Sequence, residues 1–496
     1  MQFGISESIN HWATYKSKKN AIYSNGIPIT YGLFNSRINF LSKKIIELNP
    51  DAPRIGLAIK SKIDLIVSIL SVIRTGKSIV LLNVNLPNEA LKTNIEDTEL
   101  DLLIHDDYID IDDLCKGSSV KTMNISGFFD NVNRKIEFKA YNSEPEDEWA
   151  VLFSSGTTGT PKGIERDHNS MVTEFLGWCL ELGLSKSTNF YIGRPIYYTG
   201  GLVLALSTFI VGGSIIINDY DDSNNFELIW DDYIKTLESI EMEWTFFIPD
   251  QLKLFCSKVE ERNIKMTKST ENILVMGAPI SSDLKIRANG LLGSNIIESW
   301  GNTESLGTIT QAEDLFIRPD SIGRPFLTDE LYILDDNLKE LPKNTIGRIA
   351  GNEEGGFSKY SNRPSETDRI KQNDLIVSDD LGYMDDDGYF YIKGRIQDRI
   401  IINGSTFFTA DIEEYIKKLS TISNCCIVFK GTQSFEGMCV AVTLEKDMEQ
   451  SASISQVNAL LNKYNLPFNT IKIMENLPRL AAGKVDKIEL LKAFSK

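Results

Sequence analysis

The first half of this 496-residue chain alternates helix-like segments with short apolar strands. In residues 61–74 the apolar side chains recur at helical spacing, and a buried strand at 78–82 follows directly. The same order recurs at 202–211 and 214–217, and again at 244–248, 250–261 and 272–276. Alternating strands and helices indicate parallel sheets with helices on both faces. The sequence therefore predicts an α/β fold whose larger part contains two subdomains of the parallel αβα type.

A strand-like segment at 149–153 leads directly into a loop rich in glycine and hydroxyl residues. Glycines let the backbone approach an anion closely, hydroxyl groups add donors, and Lys162 supplies a countercharge for phosphate. The spacing differs from the P-loop motif because no Ser or Thr follows the lysine. We predict that this loop binds phosphate through Ser154, Ser155, Gly156, Thr157, Thr158 and Gly159.

Charge and composition exclude several classes of function. The chain has 52 Lys and Arg against 69 Asp and Glu, a net charge of −17, which argues against nucleic-acid or membrane binding. Only three His occur, so a His-rich metal site is not expected. The N-terminus lacks an apolar signal core, which predicts a cytoplasmic protein. An apolar run at 201–217 is divided by Gly212-Gly213, so we interpret it as a helix, a turn and a buried strand.

The pattern of predicted helices, strands and turns changes twice in the second half of the sequence. From about residue 320 the strands become shorter and turns more frequent, which predicts a small β-rich subdomain over 320–395. A second boundary is expected near 394–398, and the segments after it predict a compact α+β unit. The predicted organisation is a large N-terminal domain, 1–395, and a small mobile C-terminal domain, 396–496.

Five further segments occur in order after the glycine-rich loop. They are Ser-Trp-Gly-Asn-Thr-Glu at 299–304, Asp-Asp-Leu-Gly-Tyr at 379–383, Lys-Gly-Arg-Ile-Gln-Asp at 393–398, the loop 403–413, and Pro-Arg-Leu-Ala-Ala-Gly-Lys-Val-Asp-Lys at 478–487. Together with the loop, they resemble the motifs of the ANL superfamily of adenylate-forming enzymes, which includes acyl-CoA synthetases, luciferases and the adenylation domains of peptide synthetases. The resemblance covers nearly the whole chain.

The resemblance implies a nucleotide site built from several segments. Trp300 would stack on adenine, Asp380 would accept hydrogen bonds from the ribose hydroxyls, and Arg395 would contact ribose or phosphate. Gly277, Ala278 and Pro279 would complete the nucleotide site and border the pocket for the acid.

The resemblance also implies which residues carry the reaction. Glu304 would be the ligand of Mg²⁺, and Thr303 would offer a hydroxyl to phosphate. Lys162 would help to hold the leaving pyrophosphate, and Lys484 would bridge the carboxylate of the acid and the α-phosphate of ATP. These four residues are the predicted catalytic set.

The acid pocket and the hinge follow from the same resemblance. The pocket would be lined by Tyr198, Gly301, Gly307 and Thr308. The small domain would rotate about Gln397 and then present Gly404 to the thiol. A Phe-Asp-Ala triplet, typical of domains that activate amino acids, is absent, so a standard α-amino acid is disfavoured as substrate.

The implied activity is that of an AMP-forming acid–thiol ligase. It would use ATP and Mg²⁺ to convert a small carboxylic acid into an acyl-adenylate and then into a thioester with CoA. One alternative is transfer to the phosphopantetheine of an acyl carrier protein. A second alternative is a non-catalytic ATP-binding relative, because Ser378-Asp379, Gln397 and Tyr198 depart from the family pattern. The acid and the thiol acceptor stay open, as does the oligomeric state, a monomer or a homodimer.

Overall fold

The structure, a computed structural model, describes most of the chain. The described residues are 4–132, 134–153, 161–218, 226–266, 268–304, 306–402, 405–430, 437–463, 470–479 and 485–495. Of the predicted site residues, Ser154, Ser155, Gly156, Thr157, Thr158, Gly159, Gly404 and Lys484 lie outside these ranges.

The described helices are distributed over the whole chain. They are α1 (Ile5–Tyr15), α2 (Tyr31–Leu48), α3 (Lys62–Arg74), α4 (Asn88–Asp97), α5 (Ile111–Leu114), α6 (His168–Glu181), α7 (Thr199–Ile210), α8 (Phe226–Ser239), α9 (Pro249–Glu261), α10 (Ser282–Leu292), α11 (Asp314–Ile317), α12 (Pro364–Ile370), α13 (Thr409–Lys417), α14 (Gln450–Lys463) and α15 (Lys487–Ser495), with a short 3₁₀ helix at Ile396–Asp398.

The described strands form five sheets. They are β1 (Asn20–Ser24), β2 (Ile27–Thr30), β3 (Arg54–Ala58), β4 (Ser78–Leu81), β5 (Leu102–His105), β6 (Lys121–Asn124), β7 (Glu148–Phe153), β8 (Gly163–Asp167), β9 (Asn189–Ile192), β10 (Ser214–Ile217), β11 (Trp244–Phe247), β12 (Asn272–Val275), β13 (Asn295–Gly301), β14 (Gly307–Ile309), β15 (Arg324–Pro325), β16 (Leu331–Leu334), β17 (Gly347–Asn352), β18 (Lys359–Tyr360), β19 (Lys371–Gln372), β20 (Leu375–Met384), β21 (Phe390–Arg395), β22 (Arg399–Ile402), β23 (Ser405–Phe408), β24 (Ile422–Phe429), β25 (Met438–Leu444) and β26 (Thr470–Ile473).

The first large sheet has seven strands in the order β18-β8-β7-β4-β3-β5-β6. Its strands β7, β4, β3, β5 and β6 run parallel, and β8 returns antiparallel beside β7. Helix α3 begins where the Ser61 hydroxyl accepts a hydrogen bond from the Asp64 amide, and this cap fixes the turn after β3. The helix and strand predicted at 61–74 and 78–82 are thus present with bounds shifted by one residue.

The second large sheet has nine strands in the order β15-β14-β13-β12-β11-β9-β10-β1-β2. The six strands from β13 to β1 in this order are parallel, whereas β2, β14 and β15 pair antiparallel at the two edges. The apolar run 201–217 forms most of α7, a turn and β10, as the sequence indicated. Gly212 has φ +78°, and a Cβ at this position would collide with the Trp12 ring. No helix in the described ranges is both long enough and apolar enough to span a bilayer.

One apolar core is shared by the helices that cover the two large sheets. Phe34 of α2 and Phe209 of α7 are fully buried, and their ring centroids lie 5.1 Å apart. The same core contains Ile69 of α3 and strand residues of both sheets, such as Leu57 and Ile215. The prediction of two subdomains of parallel type, packed as an αβα architecture, is confirmed.

The second half of the chain contains smaller sheets. A five-stranded sheet has the order β16-β17-β20-β19, with β21 paired to β20, and β22 pairs with β23. Strands β24, β25 and β26 form a three-stranded sheet whose core is completed by apolar residues of α13 and α14, including Ile412, Ile416 and Val457. The predicted β-rich segment and the α+β segment that follows it are both present.

The contacts within the chain divide it into two compact units. Of the described residues, those up to 331 and 351–376 form the first unit, and 332–350 and those from 377 onward form the second. The division of the chain into domains at residue 395 stays a prediction.

Candidate active site

The predicted site residues of the first unit follow parallel strands of the nine-stranded sheet. Residues 277–279 come after β12, Tyr198 follows β9 by six residues, and Trp300 and Gly301 end β13. Because these strands are parallel, their carboxyl ends meet at one edge of the sheet, which is where open α/β sheets bind ligands. Gly277 has φ +96°, so the chain turns sharply there, in a conformation that favours glycine.

The hairpin of β13 and β14 sets the geometry of the predicted pocket wall. Trp300 pairs with Thr308, and Gly301 pairs with Gly307. The Gly307 amide donates a hydrogen bond to the Asp329 carboxylate at 3.1 Å. Thr308 is fully buried, and its hydroxyl donates to the Ile322 carbonyl at 2.6 Å. The hairpin therefore orders this wall, whereas the predicted contact of these residues with the acid stays a prediction.

Arg166 holds the turn that carries Thr303 and Glu304, a role that no pattern in the sequence indicated. Its side chain is 0% exposed and donates to the Thr303 carbonyl at 3.2 Å. It also lies 2.9 Å from the Glu174 carboxylate and donates to Ser170. Since Arg166 belongs to β8, which follows the glycine-rich loop, it fixes the Thr303–Glu304 turn relative to the strand that leaves that loop.

Tyr360 connects two of the predicted catalytic residues, and it too was missed from the sequence. Its hydroxyl donates a short hydrogen bond to the Glu304 carboxylate. The Lys162 ammonium lies over its ring, 5.2 Å from the centroid, and forms an ion pair with Glu366. Lys162 and Glu304, which are 142 positions apart in the chain, thus both contact Tyr360. A tyrosine in a two-residue strand offers no local pattern by which it could have been found.

The hydroxyl of Thr303 faces the segment that carries Tyr198. The Thr199 hydroxyl donates to it at 3.3 Å, and Thr199 opens α7 directly after Tyr198. The Tyr198 hydroxyl accepts a hydrogen bond from the Asn83 amide at 3.2 Å, after the end of β4. A hydrogen bond thus joins the segment that carries Thr303 to the one that carries Tyr198, and Asn83 is a further polar side chain beside Tyr198.

Among the described residues, three predicted site residues belong to the second unit. Asp380 of β20 and Arg395 of β21 face each other across the strand pair, and the Arg395 Nε donates to the Asp380 carboxylate at 3.3 Å. Gln397 lies in the 3₁₀ helix that follows. Beside it, Asp398 pairs with Lys487 at 2.8 Å. The structure thus brings Asp380 and Arg395 into direct contact, whereas their roles in nucleotide binding stay predictions.

Burial and neighbouring charges perturb two carboxylates of the first unit in opposite directions. Burial raises the pKa of Asp329 to about 6, although hydrogen bonds from Thr328 and Gly307 oppose the shift. The pKa of Glu366 is lowered, mainly by the hydrogen bond from Lys162. Glu366 is therefore ionised at neutral pH, and Asp329 titrates within the range in which enzymes work.

The donor set is suited to Mg²⁺ held together with phosphate. Within the described ranges, no three or more His, Cys, Asp or Glu side chains are grouped so as to hold a metal ion. Mg²⁺ is commonly bound by one or two carboxylates plus the phosphate oxygens of a substrate. Glu304, whose carboxylate is oriented by Tyr360, fits that arrangement.

Comparison with known proteins shows the family of the chain. A family model described as "AMP-binding enzyme" matches residues 9–360. The chain belongs to the AMP-binding enzyme family. A second model, "Disco-interacting protein 2-like, AMP domain", matches residues 397–496. The predicted membership of the adenylate-forming ANL superfamily, and with it the prediction of an enzyme of this class, is confirmed.

Individual relatives in this family are distant but cover almost the whole chain. The chain is 24% identical to the 2-succinylbenzoate–CoA ligase of Bacillus cereus, over 88% of each protein. It is 23% identical to zwittermicin A synthase ZmaJ of Bacillus cereus, over 92% of this chain and 89% of the synthase. The structure of o-succinylbenzoate CoA synthetase from Bacillus subtilis with ATP and magnesium superposes with a TM-score of 0.84 at 20% identity, over 98% of this chain and 99% of that one.

Proposed function

We propose that the chain is an ATP-dependent carboxylic acid ligase that forms an acyl-adenylate and then a thioester with CoA. The observation that carries the proposal is the cluster of Lys162, Tyr360 and Glu304 beside the Thr303 turn. It holds a cation, an oriented carboxylate and a hydroxyl close to one another in the first unit. These are the groups that phosphoryl transfer needs for its charge and its metal.

The first half-reaction joins two anions, so its barrier is largely electrostatic and positional. The oxygen of the carboxylate attacks the α-phosphorus of ATP, and pyrophosphate leaves. Mg²⁺ held by Glu304 would neutralise charge on the phosphates. In this scheme Lys162 and the Thr303 hydroxyl hold the leaving pyrophosphate, and Lys484 draws the carboxylate toward the α-phosphate.

The remaining nucleotide contacts follow from the positions of the other residues. Trp300, at the end of β13, would stack on adenine next to the turn formed by Gly277, Ala278 and Pro279. Asp380 would bind the ribose hydroxyls while Arg395, its cross-strand partner, contacts ribose or phosphate. The acid would lie against Tyr198 and the hairpin residues Gly301, Gly307 and Thr308.

We also propose that residues 396–496 act as a separate small domain that rotates about Gln397. Support comes from the second family model, which begins at residue 397. Rotation would remove Lys484 after adenylation and bring Gly404 toward the thiol. A cytoplasmic location and a monomeric or homodimeric state stay predictions.

Pyrophosphate exchange tests the first half-reaction. Incubating the protein with ATP, Mg²⁺, labelled pyrophosphate and a panel of small acids should give acid-dependent label in ATP. Lys484→Ala should abolish exchange while ATP binding persists, and Gln397→Pro should spare exchange but slow thioester formation. Retained ATP binding without exchange, for every acid in the panel, would favour a non-catalytic ATP-binding relative instead.

The acceptor is tested separately, because one relative is named as a CoA ligase and another as a zwittermicin A synthase. With the acid identified by exchange, free CoA and a phosphopantetheinylated carrier protein are supplied in parallel reactions. Thioester with CoA supports the proposal. Thioester on the carrier protein alone would assign the second half-reaction to that acceptor.

A further inference from the structure

The ammonium group of Lys162, the proposed pyrophosphate ligand, has an acidic neighbour on a separate helix. Its Nζ forms an ion pair with the carboxylate of Glu366, on α12. The two side chains are 24% and 31% exposed, so the pair is screened less than one on the open surface. The Lys162 ammonium also lies over the Tyr360 ring, 5.2 Å from its centroid.

Glu366 carries its negative charge throughout the neutral range. The hydrogen bond from Lys162 lowers its pKa, and Arg363 adds to this effect from 3.2 Å. The Arg363 guanidinium also forms an ion pair with the Asp97 carboxylate, at 3.6 Å. A phosphate group that approaches Lys162 therefore meets a neighbouring carboxylate that already holds that cation.

We propose that Glu366 is a positioning residue that competes with the phosphates of ATP and pyrophosphate for Lys162; this rests on the nucleotide-binding role proposed above for Lys162. Lys162 offers one unit of charge, and its geometry cannot be optimal for two anions at once. Glu366 thus weakens the binding of triphosphate and of pyrophosphate. It also gives Lys162 a ready partner as pyrophosphate departs, which favours release of that product.

The variant Glu366→Gln tests the competition because it removes the charge and keeps the shape of the side chain. The dissociation constants of ATP·Mg²⁺ and of pyrophosphate·Mg²⁺ are measured by calorimetry with no acid present. Both should fall about three- to fivefold, the range expected for an ion pair that is partly shielded from solvent. In the exchange assay the apparent KM for pyrophosphate should fall by the same factor.

Asp368 provides the matched control. It lies on α12 two residues after Glu366, its side chain is exposed, and Asp368→Asn makes the same change in net charge. This control should leave both dissociation constants unchanged. An equal gain in Asp368→Asn would assign the effect to the general field of the helix and overturn the proposal.

The double variant Lys162→Met with Glu366→Gln shows whether the gain acts through Lys162. In the Lys162→Met background, Glu366→Gln should change neither dissociation constant. A gain that persists there, or unchanged constants in the single variant, would refute the competition. Failure of the proposed function looks different, since the wild-type protein would then either bind no ATP·Mg²⁺ in calorimetry or bind it without acid-dependent pyrophosphate exchange.

Discussion

Replacing Arg166 with methionine is expected to destabilise the first unit and to slow adenylation at the same time. The guanidinium group is fully buried, and its partners are the Glu174 carboxylate, the Ser170 hydroxyl and the carbonyls of Thr303 and Gly355. Methionine fills a similar volume but donates to none of them. The change therefore removes one buried charge and leaves its partners in place.

The magnitude follows from what is left behind. Breaking a buried ion pair by removing one partner costs about 3–5 kcal/mol, since the other charge stays buried without compensation. Here the remaining charge is the Glu174 carboxylate, whose side chain is 12% exposed. The Thr303 carbonyl also loses its donor, which releases the turn that carries Glu304. A displacement of about 1 Å in a positioning group can lower kcat about 100-fold.

Two measurements separate the consequences for stability and for catalysis. Urea unfolding, followed by far-ultraviolet circular dichroism, reports the loss of stability, and acid-dependent pyrophosphate exchange reports the first half-reaction. The double variant Arg166→Met with Glu174→Gln removes both charges and should recover most of the lost stability. It should not recover exchange, because the Thr303 carbonyl still lacks its donor.

Two outcomes would refute this reasoning about Arg166. If the single variant unfolds at the same urea concentration as the wild type, Glu174 is not a buried charge that depends on Arg166. If the double variant recovers exchange as fully as stability, Arg166 does not position the Thr303 turn. Arg166→Lys keeps the charge but loses the planar pair of guanidinium donors. Its stability and its exchange rate should both lie between those of the wild type and of Arg166→Met.

Three further predictions concern single side chains. Tyr360→Phe removes the hydroxyl that orients Glu304 and should weaken activation by Mg²⁺ about 10-fold or more, in a magnesium titration of exchange. The pKa of Asp329 is raised to about 6, so the folded chain binds more protons than the unfolded chain between the pKa of an unfolded aspartate and pH 6. The free energy of unfolding should therefore fall by about 2–3 kcal/mol as the pH rises through that window. Urea midpoints measured at several pH values should show this fall, and Asp329→Asn should abolish it. Lys487→Met should leave the Asp398 carboxylate without its cation and destabilise the second unit by about 1 kcal/mol, because the pair is only partly shielded from solvent. Adding Asp398→Asn should restore the stability, and equal unfolding midpoints for the single and double variants would contradict the pairing.

Helices and strands could be predicted from the sequence where residues close in the chain determine their bounds. Helix α3 and strand β4 could be assigned because apolar periodicity and a Thr-Gly stop occur within a few residues of each other. Helix α7 and β10 were separable from a membrane span because Gly212 must adopt a positive φ. In each case the deciding interactions join residues that are close in the chain.

The side chains that hold the site residues in place could not be predicted, because they contact residues that are distant in the chain. Arg166 contacts the Thr303 carbonyl across 137 positions, and Lys162 meets Glu366 across about 200. An arginine in a short strand and a glutamate in a short helix are common surface residues, so neither side chain is marked by its local sequence. The resemblance to a family suggested which residues act on the substrates, but it left open which side chains hold them.

The charge of the chain leads to a final prediction about how ATP arrives. The net charge is −17, and the cations described near the site are already paired with acids: Lys162 with Glu366, and Arg166 with Glu174. The long-range field therefore repels ATP, and binding must depend on short-range donors that act after contact. Raising the salt concentration from about 20 to 200 mM should screen the repulsion and increase the association rate in stopped-flow measurements. A rate that falls steeply with salt, as it does for a basic cleft, would show that unpaired positive charge attracts the nucleotide and would contradict the paired arrangement on which the competition by Glu366 depends.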